Sequence, residues 1–185
     1  MEENPRKPRR WFQYSLRTLL ILTTVVAALF AWWSDRGRQQ RAAVAAIKVA
    51  GGNITYDFEA QNFSAPRRWP VWLVNRLGVD YFAHVVMVHF GASGATNNDL
   101  KRLGSLVGLR SLDLHETSVT DAGLEQLSLT ALQFLDLRHT KVTDAGLEQL
   151  KELRTLQYLS LGGTRVTDVG VAGLQAALPN CKIDR

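Results

Sequence analysis

A histidine and two aspartates, His89, Asp113 and Asp136, recur in phase along this chain. Asp113 and Asp136 are 23 residues apart, and each is followed two positions later by a second charged or titratable side chain, His115 and Arg138. His89 precedes Asp113 by 24 residues. Two neighbouring carboxylates can share a proton or bind a cation, and imidazoles beside them add nitrogen donors or a general base. Such chemistry needs the groups on one surface and in a setting that excludes water. Other catalytic signatures are missing: there is no HExxH pair, phosphate-binding glycine loop or serine nucleophile elbow. The single cysteine, Cys181, permits neither an intrachain disulfide nor a thiolate zinc site.

What could bring these groups together is a tandem repeat. LRSLDLHETSVTDAGLEQL from Leu109, LQFLDLRHTKVTDAGLEQL from Leu132 and LQYLSLGGTRVTDVGVAGL from Leu156 align without gaps, at spacings of 23 and 24 residues. A degenerate copy, VVMVHFGASGATNNDLKRL, starts at Val85, and a partial one runs from Asn180 to Ile183. Leu112/Leu114, Leu135/Leu137 and Leu159/Leu161 are two apart, so each pair faces one side of a short strand. Thr117, Thr140 and Thr164 can satisfy backbone groups where the chain leaves the strand. Val119, Val142 and Val166 return to the core, and Thr-Asp at 120–121, 143–144 and 167–168 reads as a helix N-cap. Glu125 and Glu148 are expected in the first helical turn, favoured there by the helix dipole. Leu124 with Leu127, and Leu147 with Leu150, form the apolar helix stripe.

The pattern L-x-x-L-x-L-x-x-T-x-V-T-D-x-G-L resembles the cysteine-containing, F-box-associated class of leucine-rich repeats. The resemblance extends to small membrane-anchored leucine-rich-repeat proteins of planctomycete bacteria, through FQYSLRTLLILTTVVAALFAW at 12–32, AIKVAGGNITYDFE at 46–59 and LGVDYFAHVVMV at 77–88. It implies a fold and an anchor, but no activity. The chain shows no F-box, so a ubiquitin-ligase role is not implied.

Residues 18–33, TLLILTTVVAALFAWW, hold no charge. As a helix they span roughly 24 Å, against a hydrocarbon core of about 30 Å. Extending the run to Trp11 includes one charge, Arg17, whose side chain can snorkel. Trp11 and Tyr14 at one end and Trp32 and Trp33 at the other match two interfacial aromatic belts. Ala28-Leu29-Phe30-Ala31 followed by two tryptophans is a poor cleavage site, which favours an anchor over a removed signal peptide. Five basic residues before the span and four after it (Arg36, Arg38, Arg41 and Lys48) tilt the orientation towards N-terminus inside and repeats outside.

The expected organisation is a basic leader at 1–10, a transmembrane helix at 11–34, a helix–strand cap at 35–84 and repeats at 85–185. Within the cap, 36–50 reads as a helix stopped by Gly51-Gly52, Ile54/Tyr56/Phe58 as a strand, 61–70 as a loop and Trp72–Leu77 as a short helix ended by Gly78. The fold class is α/β: a short solenoid with a parallel sheet on its concave face and short helices on its convex face. The excess positive charge is confined to the N-terminus. Residues 1–50 carry nine Lys/Arg against three Asp/Glu, whereas 51–185 carry thirteen against fourteen. A near-neutral repeat domain argues against a nucleic-acid partner, and the basic segment beside an apolar run points to a membrane.

Strand phase gives three outward columns: Met87, Ser111, Phe134, Tyr158; His89, Asp113, Asp136, Ser160; and Gly91, His115, Arg138, Gly162. Phe134 and Tyr158 would sit side by side, about 4.8 Å apart. With Asp113, Asp136, His115 and Arg138 they make the expected protein- or peptide-binding face. The alternatives are a solvated face on a spacer or envelope component, and an Asp/His metal-dependent enzyme. An open sheet excludes no water, so the chain reads as a non-enzyme, with no cofactor or metal assigned.

Overall fold

The computed structural model describes residues 16–60, 70–127 and 131–185. The basic leader, Trp11, Tyr14 and positions 61–69 of the expected loop lie outside the described residues. The chain divides into two units, Met1–Asp35 and Arg36–Arg185, the division falling within the first helix, α1 (Leu16–Val49). In the first unit α1 is apolar on every side. Leu19, Leu20, Ile21, Leu22, Val25, Val26, Leu29, Phe30 and Trp32 are all exposed. The Thr23 and Thr24 hydroxyls donate to carbonyls three or four residues back, at 2.9–3.0 Å, so neither is left unsatisfied in apolar surroundings. This helix is long and apolar enough to cross a membrane.

The second unit is built on a six-stranded sheet in chain order. β1 (Asn53–Tyr56) pairs antiparallel with β2 (Val85–His89). β3 (Ser111–Asp113), β4 (Phe134–Asp136), β5 (Tyr158–Ser160) and β6 (Lys182–Asp184) then add in parallel, each matched position for position to the strand before it. Between strands the chain crosses back through α4 (Asn97–Leu103), α5 (Asp121–Leu124), α6 (Asp144–Leu150) and α7 (Asp168–Ala177), while α2 (Asp57–Ala60) and α3 (Val71–Leu77) precede β2. The core runs between sheet and helices. Leu112, Leu114, Leu135, Leu137, Leu159 and Leu161 are buried, with Val119, Val142, Val166, Leu124, Leu127, Leu147 and Leu150 opposite. At each strand exit a threonine hydroxyl donates to the carbonyl three residues back: Thr117 to Leu114, Thr140 to Leu137 and Thr164 to Leu161, at 2.6–2.7 Å. A buried polar side chain is thereby satisfied locally.

The Thr-Asp pairs cap helices less than they join coils. Asp121 accepts from both the backbone N–H (2.8 Å) and the hydroxyl (2.7 Å) of Thr143, one coil onward. Asp144 does the same for Thr167 at 2.7 and 2.6 Å. In the first coil Asn97 stands in for the aspartate, accepting from the Thr120 N–H and donating to its hydroxyl. These side chains lie against the glycine of the next coil's D-x-G. A Cβ on Gly123 would come within 2.6 Å of Asn97 Oδ1, and Cβ atoms on Gly146 and Gly170 would overlap the carboxylates of Asp121 and Asp144. Thr143 and Thr167 do accept N-cap bonds, from the Ala145 and Gly170 N–H groups, whereas Thr120 accepts none. The expected placing of Glu125 and Glu148 in the first turn is corrected: Glu125 is the C-cap of the four-residue α5, and Glu148 sits late in α6, paired with Lys151 at 2.6 Å. The first-turn acids are Asp121 and Asp144.

Ahead of the first parallel coil, α1 continues without a break to Val49, and Gly51 turns the chain at φ 82°. Gly37, Gln40, Ala43, Val44 and Ile47 are buried at helical spacing. Gly52 leaves room for Ile47 and Phe90, the latter wholly buried. A polar cluster fixes the junction. Gln40 Nε2 donates to the Ala83 carbonyl at 2.8 Å, the Tyr56 hydroxyl to Asp80 at 2.7 Å, and Arg41 bonds the Leu77 carbonyl. The strand expected through Phe58 ends earlier. Asp57 Oδ1 accepts from the Phe58 N–H and Glu59 Oε2 from the Tyr56 N–H, both at 2.9 Å, which folds 57–60 into α2 and stacks the Phe58 ring on Tyr56 at 5.8 Å.

A methyl group at Gly146 must push Asp121 off Thr143, so Gly146→Ala is expected to destabilise by about 1–3 kcal/mol. Gly173 lies within α7 with open space around it. Gly173→Ala should therefore stabilise, by about 0.5–1 kcal/mol. Urea unfolding of the detergent-solubilised chain compares the two; equal effects would remove the inter-coil role given to the glycine.

Candidate ligand-binding face

The register sets the outward columns. Met87, Ser111, Phe134, Tyr158 and Lys182 align across five strands, as do His89, Asp113, Asp136, Ser160 and Asp184. Lys182 and Asp184 were not among the sequence candidates. The signal was present, since Lys-Ile-Asp repeats the outward–inward–outward phase of the earlier strands. The third column stands just before a left-handed turn repeated in each coil, at Ala92, Glu116, His139 and Gly163, with φ of 54, 54, 55 and 72°. That turn ends the sheet face at the same level in every coil.

The charged groups are largely consumed by one another. Asp113 Oδ1 accepts from the His115 backbone N–H at 3.0 Å and lies 2.7 Å from its Nδ1, while Oδ2 is 3.4 Å from His89 Nδ1. His115 bends back over Gly91, where a Cβ would collide with its ring. One coil onward, Asp136 accepts from the Arg138 N–H and is gripped by its guanidinium through Nε and Nη2 at 2.6–3.0 Å. Partial burial pushes the Asp113 carboxyl upward. The bonds from His115, and then His89, outweigh that push and hold it below the usual carboxylate range. Asp136 in turn raises the Arg138 guanidinium, chiefly through its hydrogen bonds.

To one side of these pairs, in the first column, stand two aromatic residues. Phe134 is 47% exposed, large for an aromatic ring, and its register partner Tyr158 is half-buried. Lys182 Nζ stands 5.9 Å from the Tyr158 ring centre, a cation–π approach. All six candidates thus lie on one sheet face: Phe134 beside Tyr158, Asp113 beside Asp136, His115 on Asp113 and Arg138 on Asp136. His84 and His139 lie elsewhere, the first 3.8 Å from Asp57 and the second at its turn, over Gly163.

The repeats match the family model described as Leucine Rich repeat, at residues 129–151 and 152–174. Among solved structures, a leucine-rich-repeat protein of Leptospira interrogans is similar, at 20% identity over 46% of this chain and with a TM-score of 0.32. The match covers 27% of that protein. Comparison with curated proteins finds no match.

A carboxylate whose value is depressed on folding adds stability above its unfolded value, near 3.9, and loses it as the pH falls through the lower folded one. The stability gap between wild type and Asp113→Asn is therefore expected to be full at pH 5 and to close on acidification towards pH 2. Unfolding followed by circular dichroism across that range checks it; a gap independent of pH would remove the role given to the His115 and His89 bonds.

Proposed function

We propose that this leucine-rich-repeat chain is a membrane-anchored interaction module whose strand face holds a protein or peptide partner outside the cytoplasm. The observation that carries the reading is the exposed ring of Phe134, beside Tyr158, on a face whose charges are paired internally. Burying an aromatic ring is the main source of energy at protein interfaces, and pre-paired charges lower the desolvation cost around it. Lys182 and Asp184 widen the face towards the last strand. The anchor reading rests on the exposed apolar stretch of α1, the tryptophans at its end and the basic residues on either side. It accords with the resemblance to planctomycete membrane-anchored repeat proteins. The open, shallow sheet favours binding over catalysis.

Phe134→Ala/Tyr158→Ala should lower partner capture by at least ~10-fold without loss of fold, since central aromatic anchors each contribute about 2 kcal/mol or more. Quantitative pull-down from the native membrane, wild type against double variant, measures this. Identical partner sets would withdraw the face and leave a spacer. For placement, protease added to cells with permeabilised outer membranes should remove the repeats. Complete protection would put them on the cytoplasmic side.

A further inference from the structure

The short helix α3 is the least covered apolar element of the second unit. Its sequence, VWLVNRL, is apolar at five of seven positions, yet none of its residues is buried. Val71 is 61% exposed and Trp72 67%. A helix that is apolar around most of its circumference needs an apolar phase to cover it, and the repeat core does not supply one. Arg76 stands four positions after Trp72, on the same side of the helix, and is exposed too. The C-terminal end of α3 is fixed. Arg41 bonds the Leu77 carbonyl and lies over the Tyr81 ring, 5.0 Å from its centre. Gly37 leaves that ring the space a Cβ would fill. Gly37 is four residues beyond Trp33, where the uncharged run ends. Even fully extended, that stretch of chain reaches at most about 14 Å. The polar layer of a bilayer is roughly 5–8 Å deep on each side. α3, about 10 Å long, is therefore kept within reach of any bilayer that the apolar stretch enters.

We infer that α3 docks on the lipid bilayer surface, with Val71 and Trp72 in the headgroup region and Arg76 towards lipid phosphate. Tryptophan concentrates at that depth because its ring is apolar while its indole N–H still finds an acceptor. An arginine on the same side pairs with phosphate through two N–H groups at once. A protein partner needs more surface than this. A tryptophan buries up to about 250 Å², so Val71 and Trp72 together fall well short of the ~800 Å² per partner of a stable protein interface. A bilayer demands no complementary patch. Docking of this kind rests on the anchor proposed above and adds to it a second attachment of the repeats to the membrane.

The test uses the full chain reconstituted into vesicles of phosphatidylcholine and phosphatidylglycerol. Nitroxide labels are placed one at a time through Val71→Cys, Val26→Cys and Val169→Cys. Cys181 is buried and stays unlabelled, which the unsubstituted chain checks. Electron spin resonance then compares collisions with oxygen, which partitions into lipid, and with a water-soluble nickel chelate. The oxygen-to-nickel ratio at Val71→Cys is expected to lie between that of Val26→Cys, in the apolar stretch, and that of Val169→Cys, exposed on α7. Adding Trp72→Glu should shift it to the Val169→Cys value, because a carboxylate there is expelled from the bilayer. Trp72 is exposed, so the fold is retained, as circular dichroism checks. A water-like ratio at Val71→Cys with a lipid-like one at Val26→Cys overturns the docking and leaves the anchor. A water-like ratio at both sites removes the anchor and the docking with it. An unchanged ratio after Trp72→Glu also overturns the docking. So does a label shielded from both reagents, which means cover by protein, or line broadening abolished by unlabelled chain, which means a second copy.

Discussion

A coil of 23 or 24 residues cannot bury its own leucines; only the coils on either side can cover them. Everything else in the second unit follows from that requirement. Leu112, Leu135 and Leu159 reach near-zero exposure because their strands lie in register, and register holds because each strand bonds the next along its length. The joint on the helix side is polar. An aspartate from one coil grips the threonine of the next through backbone and side chain together, and a glycine gives the carboxylate room. The outward columns are a by-product, since stacking coils for the sake of their leucines also stacks the residues between them.

How much of this could be read from the chain depends on how local the cause is. Leucines two apart fix strand phase by themselves, so the three outward columns follow from the sequence alone. Thr117 and its equivalents act within their own turn and were equally legible. Asp121 was read as a cap because the rule for Thr-Asp concerns the helix it begins, whereas its main partner is 22 residues away. Glu125 falls outside its helix because α5 stops after four residues, a length that no residue type announces, and Glu148 is the fifth residue of α6, past its first turn. The early end of β1 depends on Asp57 and Glu59 bonding back to nearby amides. Alternation alone carries no sign of that. At the site, the sequence supplied the residues and their alignment. It did not supply the pairing of Asp136 with Arg138, or the folding of His115 over Gly91, which depend on side-chain direction.

The two units differ in what they expose. Up to Asp35, α1 turns apolar side chains outward. From Arg36 onward the same helix has a buried stripe and a polar cluster through Gln40, Arg41, Tyr56 and Asp80. Burial, first of all, and the hydrogen bond to Asp80 push the Tyr56 hydroxyl well above its usual range, so it remains a donor at any physiological pH. A neutral, permanently bonded phenol is a fitting fastener at a junction that has to hold.

The aspartate–threonine joint has a direction, and the direction has a genetic consequence. Each of the middle coils offers an aspartate forward and a threonine backward, so both of its ends carry the same two halves of one connector. A coil copied or excised whole, at its natural length, leaves matching halves at the new boundary. Array length can therefore change by unequal recombination within the gene without any compensating substitution at the joint. The strand face would grow or shrink by one row each time, leaving the rows already present as they were.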